Sequence, residues 1–226
     1  MINPVVLILV YTFVFSFILK VKFHQDAGPL DFPLYLICGM VPWFAVQESL
    51  TRAAGCIEEN ADLVRKVNFP ASLIPIHIVV GNIITMTIGL VVFIVFAAAV
   101  KGVVSKWLPL IPVVIALQTM LTLGLAWLFA CMNVVLRDTR QLVSSGLLIW
   151  MFVTPVCYPS ALIPKQYNLV LVLNPFAHLV DLYREIILKS GFPGHNFVSL
   201  LVSSIVIFAA GYFAFVRMQP RFVDLI

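Results

Sequence analysis

An all-helical protein that crosses a membrane several times is what this sequence predicts, and three observations carry the prediction. Mean hydropathy over the 226 residues is +1.07, too high for an ordinary water-soluble domain. The apolar residues come in continuous runs, long enough for helical spans of roughly 20 residues. The charged residues, 11% of the chain, fall mostly between those runs. Lipid admits only helices and closed barrels, because no water is present to satisfy backbone polar groups. Barrel strands would alternate polar and apolar residues over short segments, and these runs do not alternate.

Six spans can be drawn. The first, about residues 3–19, has no basic region ahead of it and no small-residue cleavage site behind, so it reads as a membrane helix and not as a signal peptide. Its shortness points to residues missing ahead of Met1. A polar loop with the Gly28-Pro29 breaker leads to span two, about 33–55, with Gly39 and Pro42 in its first turns and Glu48 and Arg52 at its far end in the favoured acid-first order. Span three covers about 73–100, and Lys101–Trp107 forms a basic, aromatic-ended interfacial turn. Span four, about 108–136, tolerates its early prolines because the first helical positions need no hydrogen-bonded N–H. After the tight turn Arg137-Asp138-Thr139-Arg140 comes a short span five, about 141–157, and span six covers about 197–216.

Two regions stand out from this alternation. Between spans two and three, Glu58, Glu59 and Asp62 precede Arg65 and Lys66, with Leu63 and Val67 one turn apart and Phe69-Pro70 as a stop. Acids suit the positive end of a helix dipole and bases the negative end, so a short helix over 58–67, lying along one membrane face, is expected. Between spans five and six, Pro155, Pro159, Pro164 and Pro175 cut the chain into pieces too short to cross. The region 158–189 reads as two short helices that dip into or lie along one interface. In the second of them His178, Asp181, Arg184 and Glu185 share a polar face opposite Leu179, Leu182, Ile186 and Ile187.

Composition excludes several functions. A net charge of +4 with a pI near 9.0 does not indicate nucleic acid, because the bases flank apolar spans instead of forming one patch. Cys38, Cys56, Cys131 and Cys157 lack ligand spacing, and the four histidines are scattered, so no metal site is expected. There is no phosphate loop, nucleophile elbow or HExxH pattern, hence no catalytic residue and no bound cofactor in this chain. Few ionisable groups lie mid-span, which argues against proton or sodium coupling. Asp181 with Glu185 or His178 leaves open an intramembrane lipid- or glycan-modifying enzyme, against the simpler reading of a polar face in interfacial water with Arg184 as its neutralising neighbour.

The pattern resembles the permease subunit of ABC-2 type exporters of polysaccharides such as O-antigen, capsule and teichoic acid. The likeness rests on Gly39-Met40-Val41-Pro42-Trp43, the run from Leu63 to Pro70, Leu136-Arg137-Asp138-Thr139-Arg140-Gln141, Thr154-Pro155-Val156-Cys157-Tyr158-Pro159, and Asn174-Pro175 with Tyr183-Arg184. Each is weak alone, and together they cover nearly the whole chain in order. The resemblance implies a homodimer in the bacterial cytoplasmic membrane, paired with a separate ATPase that binds ATP and Mg, and a lipid-linked glycan as substrate. It makes 58–67 the coupling helix that enters a groove of the ATPase, and 158–189 the re-entrant helices on the outer side. It also implies an amphipathic helix before span one, which this sequence lacks. The same fold serves exporters of small lipophilic molecules, the alternative cargo.

Orientation is balanced on charge alone. Arg52, Arg65, Lys66, Arg137, Arg140, Arg217 and Arg221 lie on the side of the termini; Lys20, Lys22, Lys101, Lys106, Lys165, Arg184 and Lys189 lie on the other. The resemblance implies cytoplasmic termini. With 18 Phe, 6 Tyr and 4 Trp, the chain can offer aromatic platforms to sugar rings while few fixed charges trap a moving polymer. Tyr11, Phe15, Trp43, Phe44, Trp150 and Tyr158 are the candidates for lining the path, with Arg184 as a gate or glycan contact.

Overall fold

A computed structural model describes residues 30–66, 70–102, 104–159, 164, 166, 168–189, 191 and 194–222. Every regular element among them is helical: α1 (Asp31–Ala54), α2 (Cys56–Glu59), α3 (Ala61–Lys66), α4 (Leu73–Lys101), α5 (Ile111–Val135), α6 (Thr139–Val153), α7 (Asn168–Leu173), α8 (Pro175–Arg184) and α9 (Gly194–Met218), with short 3-10 turns at Leu108–Leu110 and Gln219–Arg221 and a π-helical turn at Glu185–Lys189. Span one and its candidates Tyr11 and Phe15 lie outside the described residues.

Among the described residues, three helices are long and apolar enough to cross a membrane: Leu73–Lys101, Leu108–Val135 and Gly194–Arg221. The first shows why a bilayer and not water surrounds this fold. Val79, Ile83, Met86, Leu90, Phe93 and Ala97 recur every three or four residues and are buried, yet Ile84, Ile88, Val91, Val92 and Val95 on the other faces are apolar and exposed. A helix that is hydrophobic all round belongs in a core or in lipid. The helix ends at Gly102, whose φ of 65° and N–H bond to Ala98 O form a left-handed cap.

Helix α1 occupies the middle, packed against α4, α5, α6 and α8. It carries too many polar residues to qualify as a span on composition. Pro42 falls halfway along it and not in the first turns, because the helix already begins at Asp31. Helix α6 has 15 residues, about 22 Å at 1.5 Å per residue and short of the ~30 Å hydrocarbon thickness. It stops four residues before the expected Cys157, because Thr154 precedes Pro155 and is extended (ψ 134°).

The broadest packing in the bundle joins α5 to α9. Gly124 and Gly211 face each other there, so close that a Cβ on either would run into backbone of the opposite helix. Small residues at such a crossing let backbones approach where hydrophobic driving force is absent. One turn on, Trp127 meets Phe208 and Tyr212 edge-on at 5.2 and 5.4 Å.

Candidate functional site

The segment joining α1 to α4 is two helices, not the single helix expected over 58–67. At Asn60 the side-chain Nδ2 donates to Cys56 O (2.8 Å) and the N–H donates to Ile57 O, which closes α2; Leu63 N–H then bonds Asn60 O as α3 starts. An asparagine that offers its own groups to nearby carbonyls competes with the helix ladder and breaks it. Glu58, Glu59 and Asp62 are exposed, and Leu63 is 47% exposed, an apolar side chain standing at the surface of a charged segment. Arg65 and Lys66 belong to the last turn of α3, and Val67 lies outside the described residues.

This segment is tied to the α5–α6 turn. Asn133, near the end of α5 and 3% exposed, donates from Nδ2 to Glu58 Oε2 (3.2 Å) and accepts at Oδ1 from the Arg140 N–H (3.1 Å). Arg140 Nη1 in turn pairs with Glu59 Oε1. The stem of Arg140 crosses the α1–α2 joint at Gly55, where a Cβ would stand 3.1 Å from its Cδ. Burial pushes the neighbouring Cys56 thiol up to about 12, with Glu59 adding to the shift.

Arg184 occupies a second joint. It is fully buried at the end of α8, with Nε donating to Tyr35 O (3.3 Å), Nη1 to Pro155 O (2.6 Å) and Nη2 to Val156 O (2.5 Å). Its guanidinium also lies 3.6 Å from the centroid of the Tyr35 ring and 3.6 Å from Asp181 Oδ1. Burial raises the Asp181 carboxyl above its ordinary range, and Arg184 pulls it back. The residue expected to gate the path is therefore a clamp between α1, α8 and the turn after α6. The polar face of α8 is not bathed in water either: His178 is 6% exposed and bonds Asn196 Oδ1 (2.9 Å) and Val172 O (3.0 Å), while Asn196 donates to Glu185 Oε1 (3.0 Å). Helical spacing put these polar groups on one face, but the protein covers that face.

The aromatic candidates divide. Trp43 is 1% exposed, its ring edge-on to Phe176 at 5.5 Å. Phe44, Trp150 and Tyr158 are half-buried. Trp150 Nε1 donates to Asn174 Oδ1 (3.3 Å), and Tyr158 OH donates to Phe152 O (2.7 Å). Sequence reasoning missed a further polar group in the core. Gln118, 0% exposed, donates to Pro42 O (3.1 Å) and accepts from Tyr183 OH (2.8 Å). A lone glutamine inside a long apolar run was its only signal. Among the described residues no group of three potential ligands could hold a metal.

An apolar-coated helical bundle whose inner polar side chains bond to one another is an integral membrane protein, with its exposed charge gathered on connecting segments. Residues 1–188 match the family described as ABC-2 type transporter, and the chain belongs to that family: it is a transporter's membrane subunit and not an enzyme. It is 30% identical to the O-antigen export system permease protein RfbA of Myxococcus xanthus, over 99% of this chain and 85% of that protein. A Klebsiella pneumoniae protein of the same name is 26% identical over the same shares. The polysialic acid transport protein KpsM of Escherichia coli is 26% identical over 73% of this chain and 64% of its own length.

Proposed function

We propose that this chain is the permease half of an ATP-driven exporter that moves a lipid-linked polysaccharide across the bacterial cytoplasmic membrane. The observation that carries the reading is the match, along 99% of the chain, to proteins named as O-antigen export permeases in two organisms. In this reading two copies form the path, six spans cross the bilayer, both termini face the cytoplasm, and a separate ATPase binds ATP and Mg. Helices α7 and α8 lie at the outer side.

The α2–α3 segment is the coupling element. Leu63 supplies an apolar contact to the ATPase, and Glu58, Glu59, Asp62, Arg65, Lys66 and Val67 make up the rest of the proposed contact. Leu63, 47% exposed beside exposed Glu58, Glu59 and Asp62, is accessible to a partner, which supports this reading. Phe44, Trp150 and Tyr158 keep enough free surface to meet sugar ring faces, whereas Trp43 and Arg184 hold the frame behind them.

The test is replacement of this gene by an empty copy in its own host, with surface glycan measured beside the intracellular lipid-linked pool. Loss of surface glycan with a swollen inner pool is expected, and restored export on re-expression. Unchanged surface glycan, together with loss of export of a small lipophilic compound, would assign the other cargo.

A further inference from the structure

We propose that Asn133 is the joint through which the α2–α3 segment drives α5 and α6, an inference that rests on reading that segment as the coupling element. The segment is covalently continuous with α1 and α4 only, so ATPase-driven movement reaches those two helices through the chain itself. The α5–α6 turn has no direct chain link to the segment and is reached through α1 and α4 only by way of their packing on α5 and α6. The structure supplies a non-covalent route: Glu58 accepts from Asn133 Nδ2, Asn133 Oδ1 accepts from the Arg140 N–H, and Arg140 Nη1 returns to Glu59.

The burial pattern shows which member of this ring matters. Arg140 and Glu59 side chains are 49% and 52% exposed, and exposed ion pairs add little to a folded structure. Asn133 is 3% exposed and sits in an otherwise apolar last turn of α5. A buried primary amide is costly unless bonded, and here both ends of the amide are used, one on each neighbouring element. Its two bonds hold α2 and the first turn of α6 in one register against α5. Asn133 touches no substrate and no nucleotide; it is a positioning residue.

The experiment reverses donor and acceptor. Asn133→Asp keeps the size and still accepts from the Arg140 N–H, but sets a carboxylate against Glu58. Adding Glu58→Gln returns a donor to that contact. In the full permease–ATPase complex, Asn133→Asp should lower surface glycan about fivefold or more, the cost of one lost hydrogen bond plus a charge clash. ATP hydrolysis should persist, so glycan exported per ATP falls, and Leu63→Cys should still cross-link to the ATPase. The Glu58→Gln addition should bring export per ATP back to within about twofold of the parent, a small residual on the same hydrogen-bond scale. Normal export by Asn133→Asp, or a defect that Glu58→Gln fails to relieve, overturns the joint. Normal export by Leu63→Asp overturns the coupling reading itself, and the joint with it.

Discussion

The guanidinium of Arg184 fills the space that a side chain at residue 39 would need: a Cβ on Gly39 would stand 2.6 Å from Nη2 and 3.1 Å from Val156 O. The arginine tip cannot swing aside, because its N–H groups are committed to three backbone carbonyls. Gly39→Ala should therefore destabilise the protein by about 1–3 kcal/mol, the usual cost of overpacking. Thermal unfolding of the detergent-purified protein measures it, and an unchanged midpoint would show that the clamp is soft. Arg184→Lys should fall in the same direction, since an ammonium cannot reproduce the planar fork.

The α5–α9 crossing makes a sharper contrast among glycines. Gly124→Ala and Gly211→Ala set a Cβ against backbone, which has no rotamer to yield. Gly89→Ala and Gly146→Ala meet nothing within 4 Å and gain helix propensity, about 0.5–1 kcal/mol. The first pair should lower the unfolding midpoint and the second leave it equal or higher. The same sign for all four would remove the crossing from the account of stability.

Gln118 and Tyr183 should behave as a unit. Gln118→Leu strands the buried Tyr183 hydroxyl, at a cost of about 1–3 kcal/mol. Pairing it with Tyr183→Phe removes the stranded hydroxyl, so the double variant should be less damaged than the sum of the singles, by about 0.5–3 kcal/mol. Additive losses in unfolding measurements would contradict the bond.

The native thiols make orientation testable without a cysteine-free background. All four cysteines are buried, and at about 12 the Cys56 thiol carries almost no thiolate at neutral pH, the form that reacts. Its reactivity should appear only as pH rises towards that value. With an impermeant maleimide given to intact cells, Lys106→Cys should label and Asp62→Cys should not, both positions being exposed. Labelling of residue 62 from outside, with 106 protected, would reverse the proposed topology.

What the sequence determined by itself follows from local physics. Long apolar runs between charged turns dictate helices in lipid, since backbone groups have nowhere else to bond. Proline dictates breaks, as at Thr154-Pro155, and family motifs carried the chain to its transporter class before any geometry. The tertiary structure decided where the polar side chains go. Arg184 bonds Tyr35 across 149 residues and Asn133 bonds Glu58 across 75, and no periodicity reports partners at such separations. A helical wheel ranks His178, Asp181 and Arg184 as a wet face because it sees one helix; α1, α9 and the turn after α6 close over that face and convert it into joints. The break at Asn60 escaped for a related reason. A side chain that prefers its neighbour's carbonyl divides a segment whose charge pattern is continuous.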